Sequence, residues 1–138
     1  MTEKELLEEV RLDIPILPNR ALSPNASWKM HWGTKAKHKT DLQVAVSGAM
    51  FQFGNWLRRE QKIFVIFENA TINIDIHCWD KRKFMDRDNT IAALKHGFDV
   101  LQARVIANDK DLRIGHVEWH KSLRQGMVWT IKLLKEGL

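Results

Sequence analysis

Between Ala70 and Trp79 the chain alternates without a break. Ile72, Ile74, Ile76 and Cys78 fall at one parity, and Thr71, Asn73, Asp75 and His77 at the other. A repeat of every second residue is the signature of a strand with one face on a core and one face polar. A few residues later the period changes. Ile91, Leu94, Phe98, Leu101 and Val105 recur at helical spacing and form one apolar stripe. A half-buried strand that passes into an amphipathic helix confines the chain to folds in which helices cover a sheet.

The flanking segments extend that frame. Leu42, Val46, Ala49, Phe53 and Trp56 predict a helix from about Lys35 to Arg59. Gly48 and Gly54 weaken it, and close packing against a sheet is the expected reason they are tolerated. Ile63 to Phe67 is an apolar run suited to a buried strand. Leu112–Trp119 and Met127–Leu134 read as two strands, with Ser122 and Gly126 in a loop that suits a hairpin. All three prolines (Pro15, Pro18, Pro24) lie between Ile14 and Asn25, which allows at most a short edge strand and then a loop. The first eleven residues are acidic. Thr2-x-x-Glu5 caps a short helix there, or the segment frays. The expectation is an α+β fold: a small mixed β-sheet with two main helices packed on one face. Residues 1–13 form an acidic extension and 14–138 a single domain.

At 138 residues the chain can bury a core without disulfides. Its single cysteine, Cys78, sits in the alternating strand as a small buried hydrophobe, consistent with a reducing compartment. No stretch approaches transmembrane length and no secretory leader is visible, so the expected location is the cytoplasm. The net charge of +5 is unevenly spread. Lys29, Lys35, Lys37, Lys39, Arg58, Arg59 and Lys62 face only Asp41 and Glu60 in their segment, and Lys81-Arg82-Lys83 forms a second run. Such charge is ordinary as solvated surface. Beside a carboxylate cluster it favours a phosphate backbone as partner.

That cluster is Asp86-Arg87-Asp88-Asn89 at the start of the second helix, followed after it by Asn108-Asp109-Lys110-Asp111. Together they offer three or four oxygen ligands, the donor set of Mg²⁺ or Mn²⁺. With Asp88 or Asn89 as the cap, Ala92, Lys95 and Asp99 line up with Asp88 beside the buried stripe. The helix dipole keeps carboxylates at that end ionised. Taken singly, each residue is ordinary: an Asp caps a helix, a helical Lys is solvated, an Asp sits in a turn. The six histidines (His31, His38, His77, His96, His116, His120) lack a zinc-like pairing with cysteine and read as surface or DNA-facing groups. No Gly-rich phosphate loop appears, and Ser122 lacks the partners of an activated nucleophile. Trp28 and Trp32, among Lys29, His31 and Lys35, either stack on a base or pack in the core.

At these residues the chain resembles the RusA-type Holliday junction resolvases of phages and prophages. The resemblance runs in order through Leu22-Ser-Pro-Asn25, the Lys35–Arg59 helix, Ala70–Arg82, Asp86-Arg-Asp-Asn89, Lys95 with Asp99, and Asn108-Asp109, covering roughly residues 14 to 134. Ala92 stands where the family's best-known form has its lysine. Lys95 and Asp99 are both displaced by three residues, as a one-turn insertion would displace them. Asn108-Asp109 replaces paired acids, and the acidic extension has no counterpart.

The resemblance implies a homodimeric Mg²⁺-dependent endonuclease, with Mn²⁺ as a possible substitute, that cuts two opposed strands of a four-way DNA junction. Asp86, Asp88 and Asp109 would be its metal ligands and Lys95 its transition-state cation. Lys35, Lys37, Lys39, Lys81, Arg82 and Lys83 would hold the DNA backbone without reading sequence. Two rivals remain: a nucleic-acid-binding accessory protein that does not cut, and a metal nuclease for another branched or single-stranded DNA.

Overall fold

The computed structural model describes residues 6–23 and 32–134. Thr2-x-x-Glu5, Pro24-Asn25, Trp28, Lys29 and His31 lie outside the described residues, as does the side chain of Trp32. Four strands and two helices follow in the order β1 (Glu9–Ile14), α1 (Trp32–Arg59), β2 (Ala70–Cys78), α2 (Arg87–Leu101), β3 (Leu112–Lys121) and β4 (Gly126–Leu133). Short 3-10 turns occupy Arg20–Leu22, Lys81–Lys83 and Asp109–Asp111. The strands form one mixed sheet ordered β1-β4-β2-β3, in which β4 is antiparallel to both neighbours and β3 is parallel to β2. The α+β class expected from the periodicities is the observed one.

The register explains the core. Ile72, Ile74 and Ile76 of β2 stand opposite Ile131, Trp129 and Met127 of β4, which in turn face Val10, Leu12 and Ile14 of β1. All nine are almost fully buried. Leu42, Val46 and Ala49 of α1 and Leu94, Phe98 and Leu101 of α2 join this layer. The helices meet the sheet at Gly97. A Cβ there would come within 2.8 Å of the Trp129 ring and 3.2 Å of both Leu42 and Val46. Glycine at that site lets α1, α2 and β4 close on one point.

Several local expectations give way. β3 and β4 are consecutive but not a hairpin, because β2 lies between them. β4 is buried along most of its length and so takes a central place, whereas β3 alternates with charged and imidazole side chains that suit an edge. The run from Ile63 to Phe67 is not a buried strand. It makes only single bridges from Ile63 to Leu6 and from Phe67 to Ile106, and Ile63, Val65 and Ile66 are exposed. The run therefore joins neither outer edge of the four-stranded sheet and is held by single bridges to flanking loops. β1 begins inside the expected acidic extension, so residues 9–13 belong to the sheet. Helix α2 stops at Leu101, which leaves the buried Val105 in the following loop.

Gly48 and Gly54 are also not explained by close packing, since a Cβ at either would meet no atom within 4 Å. Gly48 is exposed in mid-helix, where alanine removes backbone freedom from the unfolded chain without a clash. Gly48→Ala should therefore stabilise the protein by roughly 0.5–1 kcal/mol. An unchanged or lowered urea midpoint would show that the position has a contact partner.

Candidate metal and nucleic-acid site

The D-x-D-N segment opens α2, but its cap is Asp86 rather than Asp88 or Asn89. Asp86 Oδ1 accepts from the Asn89 backbone N–H at 2.8 Å, and the Asn89 side-chain amide donates to Asp86 Oδ2 at 2.9 Å. An acid three residues before a donor at the helix start satisfies an orphan N–H that Asp88 is placed too late to reach. Asp88 lies in the first turn, exposed, beside the positive end of the helix dipole.

Strand β3 fixes this helix start. The buried Thr90 hydroxyl donates to the Asp86 carbonyl at 2.7 Å and accepts from the Trp119 indole N–H at 3.1 Å. The Trp119 ring packs on Phe84, with centroids 5.1 Å apart. Arg87 donates to the Gly115 carbonyl at 2.7 Å and to that of Ile114 at 3.3 Å. The motif is thus tied to the sheet through Thr90 and Arg87 while Asp86 and Asp88 stay accessible.

The basic residues divide. Lys81, Arg82 and Lys83 form an exposed 3-10 turn just before the motif, capped by Asp80. Arg82 is turned toward Asp80, donating through Nε and Nη2 at 3.0 Å each. Those bonds hold the Asp80 carboxyl below its ordinary range and raise the guanidinium. Arg20 braces the turn by donating to the carbonyls of Arg82 and Phe84. Lys35, Lys37 and Lys39 lie in the first turns of α1, with Lys37 and Lys39 exposed.

Lys95 is exposed on α2, one turn before Asp99. Asp109 opens an exposed 3-10 turn whose cap, Asn108, accepts from the Lys110 N–H at 3.2 Å. The donor chemistry of Asp86, Asp88 and Asp109 fits a hard divalent cation: carboxylate oxygens only, all exposed. These three carboxylates are not drawn into one preformed group. Among the described residues, the three ligand atoms that lie within 4.8 Å of one another belong to Asp75, His116 and Glu118.

That second group lies on the polar face of the sheet. Asp75 stands directly opposite Glu118, and His77 opposite His120, in the parallel β2–β3 ladder. Asp75 Oδ2 is 3.1 Å from His116 Nε2, and Oδ1 is 2.8 Å from His120 Nε2. A β-bulge brings His116 to this face. Between Ile72/Ile114 and Ile74/Val117, β3 carries one residue more than β2, which reverses the parity of every later side chain. Asn73 holds the bulge by accepting the His116 backbone N–H at 2.9 Å. The bulge needs Gly115, because a Cβ there would collide with the Asn73 side-chain oxygen.

Burial raises the pKa of Asp75, but the hydrogen bonds and positive charge of His120 and His116 outweigh it and hold the carboxyl below its ordinary value. Burial, then the neighbouring His120 and Arg124, lower His77 against the opposing pull of Asp75. Burial and Lys39, with Lys95, lower His96 against Asp99. Both imidazoles take up protons less readily folded than unfolded. The unfolded chain therefore binds more protons as the pH falls below about 6.5. Stability should hold above that value, decline as the pH falls through the lowered histidine range, and decline again once Asp75 protonates. Urea midpoints at neutral pH and in mild acid, compared between the wild type and His77→Gln, check this. An equal decline in the two proteins would remove His77 from the account.

No family model matches the chain, and no curated protein matches it in sequence. No helix among the described residues is long and apolar enough to cross a membrane.

Proposed function

We propose that this protein is a metal-dependent endonuclease of the cytoplasm that acts on branched DNA, with a four-way junction as its substrate. One observation carries the reading: two exposed carboxylates at the positive end of α2 directly follow an exposed basic turn, and the start of α2 is anchored to the β3 edge through Arg87 and Thr90. Cations placed there hold a phosphate backbone close to acidic side chains that would otherwise repel it. Asp86 and Asp88 would hold Mg²⁺, which is commonly bound by one or two carboxylates together with substrate phosphate oxygens, and Asp109 would join them when DNA is in place. When bound, the ion supplies an activated water and charge neutralisation at the scissile phosphate.

The residues divide the remaining work. Thr90 and Arg87 hold the start of α2 against β3. Lys81 and Lys83 grip the backbone, and Lys35, Lys37 and Lys39 extend the positive surface. Lys95 offsets negative charge as it develops on the phosphate. Arg82 contributes after release from Asp80, or by holding the turn in shape. A homodimer would present two such sites to a twofold junction. Val44 and Phe51, 65% and 68% exposed and two turns apart on α1, offer an apolar face for a second copy.

A second reading is favoured by a specific observation. Asp86 is engaged as a helix cap and the three carboxylates are not preassembled. A binding protein that does not cut would need no more than this. Charge reversal tests the shared premise. Lys81→Glu with Lys83→Glu should weaken junction binding and flatten its dependence on salt, because fewer counterions are released. An unchanged slope would place these lysines off the DNA, and both readings would lose their main contact.

A further inference from the structure

We propose that the polar face of the sheet carries a second metal site, a one-histidine, two-carboxylate centre for a first-row divalent transition ion of the Zn²⁺ class. Its ligands are Asp75, His116 and Glu118, and His120 is its positioning residue. The site is separate from the acidic start of α2 and does not depend on that reading.

The geometry comes from the strands. Asp75 and Glu118 are register partners on adjacent parallel strands, and His116 lies two residues before Glu118 on the same face because of the bulge. The three ligand atoms fall within 4.8 Å of one another, and the His116 Nε2–Asp75 Oδ2 separation is 3.1 Å. An ion with bonds of about 2.0–2.1 Å in tetrahedral coordination sets its ligand atoms roughly 3.3 Å apart. One pair is already near that spacing. Glu118, 58% exposed, can close the remainder by turning its side chain.

The donor set selects the ion. Imidazole nitrogen suits first-row transition ions, whereas Mg²⁺ prefers an all-oxygen shell. Three protein ligands leave a position open for water or a phosphate oxygen, the arrangement of exchangeable rather than purely structural sites. His120 engages the other oxygen of Asp75 at 2.8 Å, which aims Oδ2 at the ion position, and its ring stacks on His77 with centroids 5.1 Å apart. A hydrogen-bonded partner behind a ligating carboxylate fixes its orientation and tunes its affinity.

The test is calorimetric titration of the full chain, stripped of metal with a chelator, first with Zn²⁺ and separately with Mg²⁺. The expected result is saturable uptake of one Zn²⁺ per chain that Mg²⁺ does not displace. Glu118→Gln and His116→Ala should each weaken it by at least about tenfold, and His120→Gln by less than either ligand change. Glu118 is exposed, so its variant should fold, and circular dichroism verifies this for each protein. Asp88→Asn should leave Zn²⁺ affinity unaltered, which separates this site from the start of α2. Absence of saturable Zn²⁺ uptake overturns the proposal. So does uptake that folded Glu118→Gln and His116→Ala proteins retain at full strength, or uptake lost only in Asp88→Asn.

Discussion

Asp88→Asn should reduce Mg²⁺-dependent junction cleavage by orders of magnitude while leaving junction binding intact or tighter. The substitution removes the charge of a proposed metal ligand and keeps the side-chain shape. Asp88 is exposed in the first turn and is not the cap, so the helix start should survive the change. If Asp88 faces phosphate as proposed, removing its negative charge favours binding. Gel-shift and cleavage assays on one junction separate the two effects. Parallel loss of binding and cleavage would mean that Asp88 shapes the surface rather than the chemistry. Cleavage at the wild-type rate would remove it from the site.

Trp129→Ala should be the most damaging single change to the fold. Trp129 is fully buried at the centre of β4, between Leu12 of β1 and Ile74 of β2, with Phe98 tilted on it at 5.1 Å. It also fills the space that Gly97 leaves open. Truncating a large buried aromatic leaves a cavity that the sheet cannot collapse into and costs about 3–5 kcal/mol. Against a typical stability of about 5–15 kcal/mol, that leaves the variant marginal. Trp129→Phe should lose less. Its ring refills part of the space and it removes the indole N–H, which is buried without a hydrogen-bond partner among the described residues. Urea unfolding orders the three proteins. A Trp129→Ala loss below about 1 kcal/mol would contradict this description of the core.

Periodicity revealed the elements that bury one face. β2 reads from its alternation, and the two helices read from stripes whose members do line the core, Leu42, Val46 and Ala49 in one and Leu94, Phe98 and Leu101 in the other. What failed was non-local. A hairpin was the natural reading of β3 and β4, since nothing between Ser122 and Gly126 signals that β2 inserts between them. The Ile63–Phe67 run reads as a buried strand because apolar composition carries no information about whether a strand partner lies beside it. Gly48 and Gly54 drew attention in a helix, while Gly97 and Gly115 hold the positions where a side chain would collide.

The same division applies to the chemistry. The carboxylates at the start of α2 were legible, because D-x-D-N before an apolar stripe marks a helix terminus whatever else it does. Choosing Asp86 as the cap required the hydrogen bonds. The Asp75 cluster was present only as half-patterns: Asp75 and His77 at alternate positions of β2, and His116, Glu118 and His120 at alternate positions of β3. Their meeting depends on parallel pairing and on a one-residue bulge at Gly115. Period-two spacing on β3 was the one available signal. It gains meaning only once its neighbour is known.

The proposed function requires this chain to cut branched DNA with the help of a divalent ion. Purified protein incubated with a labelled, mobile four-way junction, with and without Mg²⁺, tests it most directly, with linear and Y-shaped duplexes alongside. Symmetric nicks in two opposed strands of the junction are expected only when Mg²⁺ is present, with little or no cutting of the linear form. Binding to the junction with no cleavage in Mg²⁺ or Mn²⁺ would contradict the proposed function and leave a protein that holds branched DNA without cutting it.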